Sequence, residues 1–187
     1  MKTVLHIKNM VCDRCKMMVG QTMAQLGFPD AQIDLGSVTL THQVPLNILK
    51  IAQLLEEKGF ELISDSEAIL SEKIKTSLVE LVHPDSVQQD ANISIVLSRK
   101  LYRDYSYLSK LFSRREGISI EKYAIKLKME RVKELVQMNQ LNFTQIAYSL
   151  GYKSSSHLSR QFKSVTGLSM SEYKKGQNQR TSLDQIV

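Results

Sequence analysis

The chain has no tryptophan, three prolines and only two cysteines in 187 residues. Two thiols three positions apart cannot build the disulfide framework of a small secreted domain. The expectation is a cytosolic protein with reduced thiols. No apolar run approaches the roughly eighteen residues of a membrane span, so no membrane partner is expected. Charge at Lys2 and Lys8 argues against a secretory signal at the start. No His, Asp or Ser constellation suggests catalysis, so the chain does not read as an enzyme. What remains is ordinary globular composition, 42% hydrophobic and 24% charged, enough for one large domain or two small ones.

The net charge of +6 is unevenly spread. Residues 1–65 carry six Lys/Arg against seven Asp/Glu, and residues 66–187 carry nineteen against twelve. A near-neutral front and a basic back suggest two units, the second facing a polyanion.

In the front unit Thr3, Leu5 and Ile7 alternate with Val4, His6 and Lys8, a strand pattern. Cys15, Val19, Met23 and Leu26 then recur at helical spacing up to Gly27. Extended pieces at Ala31–Leu35 and Ser37–Thr41 flank Gly36. Asn47 can cap a helix carrying Ile48, Ile51, Ala52 and Leu55, and Phe60–Ile63 alternates as a last strand. The order β-α-β-β-α-β predicts a ferredoxin-like sandwich.

Cys12 and Cys15 fall where the first strand hands over to the first helix. Unpaired N–H groups and the positive end of a helix dipole are expected there, and both lower a thiol pKa. The spacing lets both sulfurs reach one ion. Two thiolates suit a soft, low-coordinate ion such as Cu(I) better than Zn(II), which wants four ligands. A thioredoxin-like redox pair has the same spacing but needs roughly a hundred residues, and a lapsed site kept for packing is the remaining alternative. Met10 reads as a buried anchor, and His6 and His42 lack partners at ligand spacing.

With Met10, Cys12 and Cys15 following a strand, residues 1–64 resemble a heavy-metal-associated domain, whose mark is Gly-Met-x-Cys-x-x-Cys. The resemblance implies Cys12 and Cys15 as metal ligands, with Lys58, Gly59 and Phe60 close by. Asn9 stands where the family has Gly, which is expected to reshape the loop.

Ser64-Asp65-Ser66-Glu67 reads as a capping box with Ser64 at the cap. The helix it starts carries Leu70, Ile74, Leu78, Leu81 and Val82, and His83-Pro84 stops it. No Gly/Ser/Pro linker intervenes, which favours rigid coupling over a loose tether. A polar stretch without period runs from Asp85 to Asn92.

Residues 93–176 hold two similar helix pairs. In the second, Asn142 caps a helix through Ile146, Ala147 and Leu150, Gly151-Tyr152 turns, and Ser154 caps a helix carrying Leu158 and Phe162 up to Gly167. In the first, Ile95, Val96 and Leu97 lead to a turn at Leu101-Tyr102-Arg103, and Leu108, Leu111 and Phe112 follow up to Gly117. Tyr107-Leu108-Ser109-Lys110-Leu111-Phe112 echoes His157-Leu158-Ser159-Arg160-Gln161-Phe162. Ser119 caps a linking helix that runs to about Gln137, with Tyr123, Leu127, Val132 and Leu135 inward.

This duplication resembles the AraC-type DNA-binding domain, most strongly from Ile146-Ala147 through Gly151-Tyr152 and His157–Lys163 to Gly167 and Tyr173. The domains are then 1–64, 65–176 and a frayed polar tail 177–187. The first turn lacks the family's Gly, which puts its geometry in doubt. Met170 replaces the usual Pro, which is expected to loosen the last helix. The resemblance implies double-stranded DNA as partner, each second helix entering a major groove. Outward positions are Ser106, Tyr107, Ser109 and Lys110 in the first reader, and Ser155, Ser156, His157, Ser159 and Arg160 in the second. Arg160 is the expected guanine contact, while Lys110, Arg114, Lys153 and Lys163 are expected on phosphates.

The expected whole is an α+β protein: a transcription regulator whose soft-metal site shifts the DNA readers or exposes a surface for RNA polymerase. A four-thiolate site between two copies would make the metal a dimeriser. A constitutive DNA binder, with the front unit serving protein or ligand contacts, is the alternative. A metal carrier or thiol-disulfide enzyme would leave the back unit idle.

Overall fold

A computed structural model describes residues 1–82, 92–176 and 183–186. It is α+β and divides into two units, Met1–Thr76 and Ser77–Val187. The division falls inside a helix, beyond the last strand where the sequence suggests it at 64/65. No described helix is long and apolar enough to cross a membrane.

The first unit contains β1 (Lys2–Lys8), α1 (Asp13–Gln25), β2 (Gln32–Asp34), β3 (Ser37–Thr41), α2 (Ile48–Glu56) and β4 (Glu61–Ile63). It also holds the start of α3 (Ser66–Val82). The strands form one antiparallel sheet in the order β2-β3-β1-β4. Leu5 pairs with Val38 and Ile7 with Leu62. Alternation puts Leu5, Ile7, Val38 and Leu40 on one face, where they join Val19 and Met23 of α1 and Ile51 and Leu55 of α2 in the core. Asn47 caps α2 by accepting the Lys50 N–H at 3.0 Å.

Two local expectations are corrected here. Asp65, not Ser64, caps α3: its carboxylate accepts the Ala68 N–H at 2.8 Å. The helix starts at Ser66, so Asp65 is the residue one step before it, whose side chain reaches the third helical N–H. The face of α3 is also wider than its apolar stripe, because Ser71, Glu72 and Thr76 are buried along with Ile74.

The second unit contains the end of α3, then α4 (Ile93–Leu101), α5 (Tyr105–Glu116), α6 (Ile120–Met138), α7 (Phe143–Ser149), α8 (Ser155–Thr166) and α9 (Met170–Lys175). Both helix pairs pack on α6. Phe112 of α5 lies 5.5 Å from the Tyr123 ring. Met129, Val132, Leu135 and Val136 meet Ile146, Ala147, Leu150, Leu158, Phe162 and Tyr173. Most of the spacer from Asp85 and most of the tail lie outside the described residues. The tail is not wholly frayed, since Ile186 is buried and its carbonyl accepts from Lys126 Nζ at 3.1 Å.

Candidate nucleic-acid interface

Each pair is built by local chemistry. Asn142 and Gln145 form a reciprocal capping box at α7. Ser154 is extended and accepts the His157 N–H at 3.2 Å, which fixes the start of α8. Gly151 sits at φ 73° between the two helices, and buried Ala147 is the small residue where α7 and α8 meet. The first pair turns in the same way without the glycine, and its second helix starts after Asp104, which makes no side-chain cap bond. Tyr102 itself adopts the left-handed conformation, φ 52° and ψ 44°, with its side chain in solvent. The substitution therefore preserves the turn, at a conformational cost, rather than reshaping it. Met170 does not loosen α9: it is buried in the core, and Ser169 and Glu172 form a capping box around it.

Along α5, Ser106, Tyr107, Lys110 and Arg114 are exposed and Ser109 is half-buried, while Leu108, Leu111 and Phe112 are core. Along α8, Ser156, His157, Arg160 and Lys163 are exposed, as is Lys153 just before it. Ser155 and Ser159 are half-buried. Ser159 is not simply outward, because its hydroxyl donates to Met170 Sδ at 3.7 Å. Its position one turn after Ser155 leaves it beside α9, a tertiary neighbour that helical periodicity does not reveal.

Two further side chains organise the second reader. His157 stacks edge-on against the Tyr152 ring at 5.4 Å, and Lys128 Nζ lies 5.4 Å above the same ring. Lys128 Nζ also donates to the Leu150 carbonyl, and the Tyr152 hydroxyl donates to Gln161. Burial pushes the Tyr152 phenol up to about 12, so it stays a neutral donor. Arg160 Nε donates to the Ser156 carbonyl at 3.4 Å, which lays the guanidinium along the exposed side of α8. In the first pair the Tyr105 hydroxyl donates to Glu121. That bond holds the Glu121 carboxyl below its ordinary range. Among these partners Lys128 lies outside the motif, and the supporting roles of Tyr152 and Gln161 within it are not legible from spacing, because they serve neighbours rather than face outward.

The thiol loop belongs to the first unit. Cys12 is the extended residue capping α1, without a side-chain cap bond, and Cys15 lies in the first turn. The sulfurs are 3.5 Å apart, half-buried and unbridged. Met10 and Phe60 are buried beneath the loop as core residues. Among the described residues no group of three or more His, Cys, Asp and Glu could hold a metal. The described residues of one chain therefore bring two thiols together, short of the four ligands tetrahedral zinc takes. One expectation is reversed: burial raises the Cys15 thiol, and neighbouring Cys12 pushes the same way, outweighing nearby backbone N–H groups.

The family described as "Helix-turn-helix domain" matches residues 97–176. Residues 97–176 are therefore similar to helix-turn-helix domains. Among curated proteins, the Msm operon regulatory protein of Streptococcus mutans is 28% identical over 125 residues, covering 67% of this chain. The chain spans 44% of that relative's length. A transcriptional regulator from Chromobacterium violaceum, described as containing an AraC-type DNA-binding domain, superposes with a TM-score of 0.45 at 20% identity. It covers 56% of this chain and 92% of its own. The C-terminal domain of AraT, a response regulator from Geobacillus stearothermophilus, gives a TM-score of 0.45 at 23% identity, covering 60% and 85%. In this helix-turn-helix domain α5 and α8 are the second helices of their pairs, and both expose a cation, Lys110 and Arg160, at matching positions.

Proposed function

We propose that the protein is a sequence-specific transcription regulator that reads two stretches of major groove with α5 and α8. The observation that carries this reading is the repeated pair itself: two second helices, each buried on its Leu/Phe side and exposing polar and basic residues on the other, mounted on one α6. At nineteen residues α6 is about 28 Å long, comparable to one turn of DNA at about 34 Å. Arg160 is assigned to a guanine edge, and Lys110, Arg114, Lys153 and Lys163 to phosphates. The exposed serines, Tyr107 and His157 complete the two reading surfaces. RNA polymerase is the further partner this reading implies.

The first unit we read as a ferredoxin-like, heavy-metal-associated-like sensor. Its βαββαβ order, its strand order and the converging Cys12 and Cys15 sulfurs support that reading. Cys12 and Cys15 would hold a soft ion, Cu(I) rather than Zn(II), as thiolates. The ion would supply a crosslink between strand end and helix start. The deciding experiment selects bound DNA from a random library with the full chain, with and without Cu(I). A recovered motif with two half-sites about one turn apart is expected, relaxed at one base pair in Arg160→Ala. No enriched sequence would defeat the reading. An identical selection with and without Cu(I), unchanged in a Cys12→Ser, Cys15→Ser variant, would leave a constitutive regulator.

A further inference from the structure

The thiol loop is tied to a helix outside the βαββαβ unit. At the end of β1 the chain turns through Asn9 at φ 71°. The Asn9 N–H donates to Glu72 Oε1 of α3 at 3.1 Å. Its side-chain Nδ2 donates to the Gly59 carbonyl at 3.0 Å, and its own carbonyl accepts from Cys15 Sγ at 3.9 Å. Asn9 is thus bonded to the thiol on one side and to α3 on the other. Glu72 is no loose surface acid, being 6% exposed. A Cβ added at Gly36 would stand 3.1 Å from Thr76 Cγ2 and 3.8 Å from Glu72 Cγ, so α3 lies directly against the β2–β3 turn. A buried carboxylate that accepts a backbone N–H is a strong and directional hold.

We propose that Glu72 is a positioning residue that latches the thiol loop to α3, and that loading the thiol pair with a soft metal ion is felt in α3 through this bond. The second half rests on the reading of Cys12 and Cys15 as a metal pair, whereas the latch itself does not. Each thiol releases its proton to solvent as its sulfur takes the ion. The Cys15 sulfur then has no hydrogen to donate, and the Asn9 carbonyl loses that partner. The Asn9 backbone readjusts, and Glu72 is its contact on α3.

The test uses the full chain as wild type, Glu72→Ala, Glu72→Gln and the Cys12→Ser, Cys15→Ser variant. Cu(I) is supplied in competition with bicinchoninate, and amide exchange is followed by mass spectrometry over residues 9–15 and 66–76. Wild type and Glu72→Gln, whose amide oxygen still accepts, should show altered exchange in residues 66–76 with one equivalent of Cu(I). Glu72→Ala should lose that response and bind Cu(I) about tenfold more weakly or worse. Its metal-free thiols should also react faster with iodoacetamide than those of the wild type. Unchanged affinity and an unchanged α3 response in Glu72→Ala would overturn the proposal. If wild type takes up no Cu(I), the metal reading and the coupling both fall, and equal alkylation rates would then overturn the latch as well. Should Glu72→Ala fail to fold, Glu72→Asp, which shortens the reach by one methylene, takes its place with the same expected direction.

Discussion

Replacing Tyr102 with glycine should stabilise the second unit, although it deletes a large side chain. Tyr102 holds φ 52° and ψ 44° at the end of α4. A left-handed L-residue costs about 1–2 kcal/mol. Glycine relieves that strain but gives back roughly 0.5–1 kcal/mol through the freer unfolded chain. The side chain is 86% exposed, so little apolar burial is lost. The net expectation is a gain of about 0.5–1 kcal/mol, or a few degrees in Tm. The reciprocal change, Gly151→Ala at φ 73°, imposes that strain and should cost about 1 kcal/mol. Urea unfolding followed by tyrosine fluorescence suits the question. There is no tryptophan, and all seven tyrosines lie between positions 102 and 173, so the signal reports on the second unit alone. The midpoints should move in opposite directions at constant slope. A loss of more than 1 kcal/mol in Tyr102→Gly, or no effect of Gly151→Ala, would refute the equivalence of the two turns.

Arg160→Ala should lose about 1–3 kcal/mol of discrimination at one base pair, whereas Lys163→Ala should weaken all sequences alike and lower the salt slope by about one; binding titrations at several salt concentrations separate them. His6 has a pKa lowered by burial and by Lys73, so the unfolded chain takes up the proton more readily than the folded one. Stability of the first unit should therefore fall as pH drops below about 6.5, and His6→Gln should flatten that slope in calorimetric scans. Asn9→Gly keeps the left-handed turn and loses only the bond to Gly59, so it should cost under about 1 kcal/mol, while Asn9→Ala should cost about 1–2 kcal/mol more in thermal melts.

Much of the site was legible as pattern because it rests on local rules. Asn47, Asn142, Ser119 and Ser154 cap helices where their position before an apolar stripe predicts, each accepting the N–H three residues on. Leu158 and Phe162 point inward because four-residue spacing puts them on one face. Arg160 and Lys110 are exposed for the same reason. Ser159 shows where this logic stops. It shares its spacing with outward neighbours, yet its hydroxyl is taken up by Met170 from a helix eleven positions away.

Residue order alone determined the two-unit layout, the repeated helix pairs and the adjacency of the two thiols, because caps, turns and hydrophobic periods act over a few residues. Tertiary structure decided the rest. Burial, not the helix dipole, governs Cys15, and Tyr152 gathers His157, Lys128 and Gln161 around one ring. Glu72 closes on an amide 63 positions earlier. These outcomes depend on desolvation and on which distant groups the fold brings into contact, quantities that no local period encodes.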